Sequence, residues 1–196
     1  MKFLTIASLA TVAAASVMTN LGDKNVATTL IGRIGNDMER LNKEVKRYET
    51  DSEALKAAGV NIVQTLQEGK TNITRESGIS LWEAFNLRQP ITRVEAQSRE
   101  LVSNYMNKRH LFQYGNACGV VRKQTKDLIF HCKELIDVII DKIPLIGKFK
   151  AREFSDRLLK SLRECERHFS EPNCTDSTEL VGPASAEGLF RVDRLY

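Results

Sequence analysis

Apolar residues recur every three or four positions through much of the chain, which is the spacing of an amphipathic helix. Between Val26 and Tyr48, eight apolar residues fall on one face and charged residues occupy the other. The same spacing predicts four further helices, from about Ser52 to Glu68, from Leu81 to beyond Tyr105, from Ala117 to Ile143, and after Pro144 as far as Phe169. The pattern therefore predicts an all-α fold, a bundle of about five amphipathic helices with short connections.

Glycine and proline residues predict where these helices are interrupted. Gly69 is expected to end the second helix, and the polar stretch 71–78 to form a loop after it. Pro90 lies inside the pattern of the third helix and predicts a kink or a break there. Pro144 and Gly147 predict the turn that joins the last two helices.

The two ends of the chain have different patterns from its middle. The N-terminus has one lysine, a largely apolar run and the triplet Ala13–Ala15. This arrangement is that of a secretory signal peptide with its cleavage site. From Ser170 onward no period is sustained. We therefore predict a signal peptide at 1–15, a helical bundle domain at 16–169 and an extended, disordered tail at 170–196, in a secreted, extracellular protein.

Secretion changes how the four cysteines are interpreted, because an oxidising compartment favours disulfides. If the last two helices form an antiparallel hairpin that turns near residue 147, facing residues have numbers with a nearly constant sum. Cys132 with Cys165, and Cys118 with Cys174, satisfy this better than the crossed pairs. Cys118 and Cys132 would lie about 21 Å apart on one helix, too far for a disulfide. We predict Cys132–Cys165 and Cys118–Cys174 bonds that link the C-terminal hairpin.

The most apolar segment of the mature chain, "DLIFHCKELIDVIIDKIP", presents three alternatives: a membrane span, a chemical site or the wall of a core. Five charged residues between Lys133 and Lys142 exclude a membrane span. His131 and Cys132 are adjacent, so they point about 100° apart on a helix and do not converge on one reacting atom. The segment is interpreted as an amphipathic core helix, and no transmembrane segment is predicted.

Other motifs add little chemistry. No nucleophile–base arrangement or metal-ligand spacing is found, so we expect a protein that is not an enzyme and uses no metal or cofactor. The net charge of +4 is small and evenly spread, so no nucleic-acid partner is expected. Asn72 and Asn173 each begin a sequence that can accept N-linked glycan.

The order of these features resembles the fungal hydrophobic surface binding protein A and cell wall galactomannoprotein family, over about residues 24–145. The resemblance is carried by "VATTLIGRIGNDMERLNKEVKRY", "ALKAAGVNIVQTLQEGKTNI" and "SLWEAFNLRQPITRVEAQSRELVSNYMNKRHLF". These segments include the Leu-x-x-Gly end of the second helix and the Lys-Arg-x-x-Phe after the third. The resemblance implies a secreted helical bundle without catalysis that holds fatty-acid-like lipids between its helices, adsorbs to hydrophobic surfaces or associates with the cell wall. The four cysteines and the fifth helix are departures from the family pattern, and a Ser/Thr-rich wall-attachment tail is absent.

The leading hypothesis is that lipid binds through the inner faces of the bundle. The candidate lipid-binding residues, taken from the helical period, are Leu66, Phe85, Val94, Leu101, Tyr105, Leu128, Leu135 and Ile139. The same period is equally compatible with a core that is filled by side chains. The alternative function is a secreted effector or cell-wall protein that acts through a wall or host protein partner.

Overall fold

The computed structural model describes residues 26–177, and the regular secondary structure in this range is helical. Its helices are α1 (Val26–Arg47), α2 (Glu53–Arg75), α3 (Leu81–Asn86), α4 (Arg88–Asn107), α5 (Arg109–Tyr114), α6 (Cys118–Lys142) and α7 (Leu145–His168). Five of these are long and two are short, which confirms the predicted all-α bundle of amphipathic helices. The predicted signal peptide, and the part of the predicted tail after residue 177, lie outside the described residues.

The five long helices form a closed ring. In order around the ring, α1 packs on α2, α2 on α6, α6 on α7, α7 on α4, and α4 on α1. The chain runs in one direction along α1, α4 and α7, and in the opposite direction along α2 and α6, as their cross-helix contacts show. Each long helix turns its apolar face inward, so the ring encloses one hydrophobic core.

The two ends of the ring differ. We call the end where α1, α4 and α7 begin the α3 end, because α3 lies there. At the opposite end, the α5 end, four aromatic rings pack together with centroid separations of 4.3–5.9 Å. The rings belong to Tyr48, Tyr105, Phe112 and Phe169. This aromatic cluster closes the core at the α5 end.

A disulfide between Cys118 and Cys174 fixes the C-terminal segment to the α5 end, with the two Cα atoms 5.6 Å apart. Arg122 strengthens this attachment, since its Nε donates to Phe169 O and its Nη2 to Cys174 O, each at 2.9 Å. Residues 170–177, the first part of the predicted extended tail, therefore fold back onto α6.

The predicted Cys132–Cys165 disulfide is wrong, because both residues are buried free cysteines. Cys165 Sγ lies 3.7 Å from Thr125 Oγ1, so Cys165 faces a position seven residues before Cys132 on α6. Seven residues correspond to about 10 Å of helix, beyond the reach of a disulfide. The hairpin turns at Pro144, earlier than predicted, and this shifts the register of α7 along α6.

Gly69 does not end α2, and most of the loop predicted at 71–78 is helical. Gly69 is instead the place where α1 and α2 approach each other closely. A Cβ atom at this position would lie 2.5 Å from Leu30 Cδ1. Because Leu30 and Ile73 both pack in the core, burial favours a continued helix over the low helix propensity of glycine.

The predicted interruption near Pro90 is confirmed. α3 ends at Asn86, α4 begins at Arg88, and Pro90 occupies the first turn of α4, where its missing N–H breaks no helical hydrogen bond. At the next predicted turn, Pro144 precedes α7, whereas Gly147 is already inside that helix.

The close approach at Gly69 predicts opposite effects for two glycine substitutions. Gly69→Ala should lower the free energy of unfolding by about 1–3 kcal/mol, because the new methyl group meets Leu30. The control is Gly32→Ala on α1, where no heavy atom beyond the adjoining residues and backbone of its own helix lies within 4 Å of the new Cβ. It should raise stability by about 0.5–1 kcal/mol through helix propensity. Urea denaturation measures both, and equal effects of the two substitutions would contradict this packing.

The free cysteines predict a thiol count. Burial raises the pKa of the Cys132 and Cys165 thiols to about 12. Both should therefore resist a thiol reagent at pH 8 in the folded protein, since the thiolate is the reactive form. In denaturant without reductant, two thiols per chain should react. A count of zero in denaturant would show that the Cys132–Cys165 bond forms after all.

Candidate functional site

The inner face of the ring is the candidate site, and the structure places most of the predicted residues there. The buried members of the predicted set are Leu66 on α2, Val94, Leu101 and Tyr105 on α4, and Leu128, Leu135 and Ile139 on α6. They come from three helices that face the same core. The helical period alone was sufficient to identify them.

The prediction that Phe85 lies on the inner face is wrong, since this residue is 62% exposed. It lies on α3, which is separated from α4 by the break at Leu87. The helical phase of α4 therefore does not continue into α3. Leu87, at the break itself, is buried in the core instead.

Gln124 crosses the core and connects three helices of the ring. Its Nε2 donates to Leu55 O on α2 at 2.8 Å, and its Oε1 accepts from the Tyr105 hydroxyl on α4 at 3.1 Å. The side chain has room because it lies over Gly59, where a Cβ atom would be 2.3 Å from Gln124 Nε2. Burial raises the pKa of Tyr105 well above its ordinary value, so the phenol remains a hydrogen-bond donor. We call this arrangement the Gln124 bridge.

The Gln124 bridge divides the core into two sections. Between the bridge and the α5 end the core is aromatic. Between the bridge and the α3 end it is almost entirely aliphatic, and we call this part the aliphatic section. Its buried side chains include those of Leu30, Ile34, Ile62, Leu66, Ile73, Val94, Leu101, Leu128, Leu135, Ile139 and Leu159. From Leu128 to Ile139, the section extends about 16 Å along α6.

One hydroxyl in the aliphatic section has no partner. Ser98 is fully buried on α4, about one turn from both Val94 and Leu101. Its Oγ makes no hydrogen bond with any described residue. Two other buried hydroxyls are paired, since Thr125 donates to a backbone carbonyl on its own helix and Thr65 to a carboxylate. An unpaired buried hydroxyl costs about 1–3 kcal/mol, so Ser98 is a candidate contact for the polar group of a ligand.

The sequence prediction missed Ser98 because it collected only apolar residues. The available signal was its position, since Ser98 falls in the same helical stripe as Val94, Leu101 and Tyr105. A polar residue within an apolar stripe is uncommon in a packed core and marks a candidate site.

The His-Cys pair of the apolar segment does not form a reactive site. The His131 Nδ1 lies 3.1 Å from a Glu134 carboxylate oxygen, and its Nε2 lies 3.1 Å from Gln67 Nε2, so the ring bridges α6 and α2 at the surface. Cys132 is buried in the core instead.

Within residues 26–177, no three His, Cys, Asp or Glu side chains are grouped as metal ligands. No helix of the described range combines the length and apolar content needed to cross a membrane.

Both predicted glycosylation positions are exposed. Asn72 lies on the outer face of α2. Asn173 lies in the turn before Cys174, and its Nδ2 donates to Arg167 O at 2.8 Å.

The Gln124 bridge predicts unequal effects for two tyrosine substitutions. Tyr105→Phe should lower the free energy of unfolding by about 0.5–1.5 kcal/mol, because it removes the donor to Gln124. Tyr114→Phe is the control, since Tyr114 is 57% exposed. It should leave stability within about 0.5 kcal/mol of the original protein. A neutral Tyr105→Phe substitution in urea denaturation would contradict a stabilising bridge.

Comparison with known protein families identifies one match. The family model described as hydrophobic surface binding protein A matches residues 25–141, more than half of the chain. No curated protein sequence matches the chain significantly.

Three solved structures with the same fold are matched over nearly their whole length. Ligand binding domain 1 of the Penicillium marneffei MP1 protein, complexed with arachidonic acids, has a TM-score of 0.72 and 21% identity, over 74% of this chain and 97% of that domain. Ligand binding domain 2 of the same protein, complexed with multiple arachidonic acids, has a TM-score of 0.73 and 19% identity, over 78% and 99%. The AFMP4P protein in complex with palmitic acid has a TM-score of 0.71 and 11% identity, over 74% and 100%.

Proposed function

Since the chain belongs to the hydrophobic surface binding protein A family, we propose that it is a binding protein, not an enzyme, and holds a long-chain fatty acid in the aliphatic section. The observation that carries this proposal is the aliphatic section itself, which ends at the Gln124 bridge and contains the unpaired Ser98 hydroxyl. The fatty acids in complex with three solved structures of this fold support the ligand class.

The chemistry of the section suits such a ligand. Each methylene group moved from water into an apolar interior contributes about 0.8 kcal/mol, so an extended acyl chain gains most of its affinity there. Leucine and isoleucine side chains on three different helices would contact the chain, and the interiors of helical bundles are common ligand sites. Entry of the chain requires these side chains to move apart, because Leu66, Leu101 and Leu128 are fully buried.

The carboxyl group would be held at Ser98. Burial among aliphatic side chains favours the protonated carboxyl, and the Ser98 hydroxyl can donate to its carbonyl oxygen or accept from its O–H, which satisfies an otherwise unpaired group. This arrangement places the polar head inside the aliphatic section, about two turns of α4 from Tyr105 of the Gln124 bridge.

The first test is chemical analysis of the protein as it is purified. Mass spectrometry of organic extracts from natively purified protein should detect fatty acids in a fixed molar ratio to the protein. A fluorescent fatty acid should bind saturably and be displaced by palmitic acid. Absence of both extracted lipid and saturable displacement would favour the filled core and contradict the proposal.

The second test separates a ligand contact from a structural role at Ser98. Ser98→Ala should weaken palmitic acid binding by about three- to tenfold, the value of one buried hydrogen bond between neutral groups. It should leave the stability of the ligand-free protein equal or slightly higher, because it removes an unpaired polar group. Thr125→Val is the control, since that hydroxyl already bonds Val121 O at 2.9 Å, and it should leave the affinity unchanged. Lower stability with unchanged affinity for Ser98→Ala would contradict the assignment.

We further propose that the mature protein is secreted and carries N-linked glycan. The signal-peptide pattern before Ser16 and the Cys118–Cys174 disulfide support secretion. N-terminal sequencing of protein from culture medium should find a start near residue 16. Endoglycosidase treatment should shift the mobility of the protein, with part of the shift lost in Asn72→Gln or Asn173→Gln. An intact N-terminus, or protein found only inside cells, would contradict secretion.

A further inference from the structure

The α3 end of the ring exposes an unusual concentration of large apolar side chains. Six of the ten large exposed hydrophobic residues in the described range lie in two short segments, the start of α3 and the start of α7. We call this set the apolar tip, and it consists of Leu81, Trp82, Phe85, Leu145, Ile146 and Phe149. Their exposed fractions range from 53% to 85%. Exposed apolar groups at this density indicate an interaction surface, because single scattered residues are the norm.

The two segments of the apolar tip are held beside each other. Ile79 N donates to Lys142 O at 2.9 Å, so the residue two positions before Leu81 is bonded to the residue three positions before Leu145. The Lys142 ammonium also donates to the backbone carbonyls of Thr74 and Glu76 at the end of α2. The Trp82 and Phe85 rings stack with their centroids 6.0 Å apart. The tip is therefore a built part of the fold and does not belong to a loose chain end.

The charged residues interspersed with the tip residues at the start of α7 are all basic. The first turns of α7 read "LIGKFKAR", in which every charged residue is basic. Lys148 and Arg152 make no ion pair with another described residue. Lys150 lies 6.0 Å from the centre of the Phe149 ring and also pairs with Glu153. The acidic residue of the α3 segment, Glu83, is bonded to the backbone N–H of Ser80 in a capping box.

From this combination we propose that the apolar tip docks the protein on an anionic lipid surface. Helices that lie in a membrane interface combine Trp, Phe and Leu on one side with Lys and Arg around them. Juxtaposed basic side chains are attracted to anionic headgroups, and tryptophan favours the boundary between headgroups and acyl chains. Aromatic residues and arginine also suit a protein interface, but such interfaces are depleted in lysine, and the tip has Lys148 and Lys150 beside it.

Docking at the tip goes beyond the proposed fatty-acid site, which is inside the ring. The aliphatic section lies between the Gln124 bridge and the same end, so a docked protein would have that section directed at the source of its ligand. Docking does not require the interior to bind lipid, and the two properties are measured separately: the vesicle assay detects docking, and fatty-acid displacement detects the interior site.

The test uses the fluorescence of Trp82, which is the single tryptophan of the chain. Mature protein is titrated with phosphatidylcholine vesicles that contain or lack phosphatidylglycerol. We expect a blue shift of emission and co-sedimentation with the anionic vesicles, reduced by high salt, and about tenfold weaker binding to vesicles of phosphatidylcholine alone. No shift with anionic vesicles, or equal binding to both kinds, would overturn the proposal.

Matched substitutions locate the contact. Phe149→Glu should weaken binding to anionic vesicles by about tenfold or more, whereas Phe130→Glu, also at an exposed phenylalanine but midway along α6, should not. Lys148→Glu with Arg152→Glu should weaken binding more than Lys43→Glu with Lys126→Glu, which changes the net charge equally at exposed sites elsewhere. Circular dichroism and urea denaturation verify that each variant is folded. Equal losses within either pair would contradict a specific tip.

Two other occupants of the tip have distinct signatures. If a second copy of the chain covered it, sedimentation would show a dimer that Phe149→Glu dissociates. If the chain's own residues 16–25 covered it, their deletion would shift Trp82 emission to the red without vesicles. Either result would overturn docking on lipid.

Discussion

The Gln124 bridge is the interaction on which the arrangement of the core depends. One side chain satisfies a backbone carbonyl of α2 and a phenol of α4 while it belongs to α6. Buried polar groups are costly unless they are paired, so the three helices are constrained to one spacing at this level. Gly59 makes the spacing possible, because any side chain there would occupy the position of the amide. The bridge separates an aromatic section from an aliphatic one.

The two ends of the ring differ in the side chains that surround them. The α5 end is closed by four packed aromatic rings and by a disulfide that holds the C-terminal segment against α6. At the α3 end, aliphatic side chains such as Ile79, Leu87 and Ile143 are buried in the core, and the apolar tip lies outside them. Lipid entering from the α3 end would meet first an apolar, basic surface, then aliphatic side chains, and finally the polar bridge. The interior site and the tip are therefore two parts of one proposed path.

Helical periodicity was sufficient for the parts of the fold that depend on one helix at a time. It identified each long helix and the buried faces of α4 and α6, because a core-facing stripe leaves a direct mark on the sequence. It was insufficient where two helices meet. Local sequence predicts a helix end at Gly69, because the contact of this glycine with Leu30 is visible only in the folded structure. The predicted Cys132–Cys165 bond is wrong because the register of a hairpin depends on where its turn begins, and this turn begins earlier than predicted.

In the candidate site, too, features set by a single helix could be predicted from the sequence, and features set by contacts between helices could not. The aliphatic lining could be predicted from the pattern, whereas the Gln124 bridge could not, since it joins residues 69 and 19 positions apart in the chain. The period of one long helix predicts Phe85 on the inner face. This prediction is wrong because the break at Leu87 resets the helical phase. The apolar tip was not anticipated, because an exposed leucine and a buried one have the same place in a helical pattern until the neighbouring helices are known.

A fatty acid inside the ring, in the aliphatic section, can be detected by isotope-filtered NMR of the protein with carbon-13-labelled palmitic acid. We expect intermolecular nuclear Overhauser effects from the acyl chain to the methyl groups of Leu101, Leu128 and Leu135. Effects confined to Trp82, Ile146 and Phe149, with none to those three leucines, would place the fatty acid on the outside of the protein and contradict the claim.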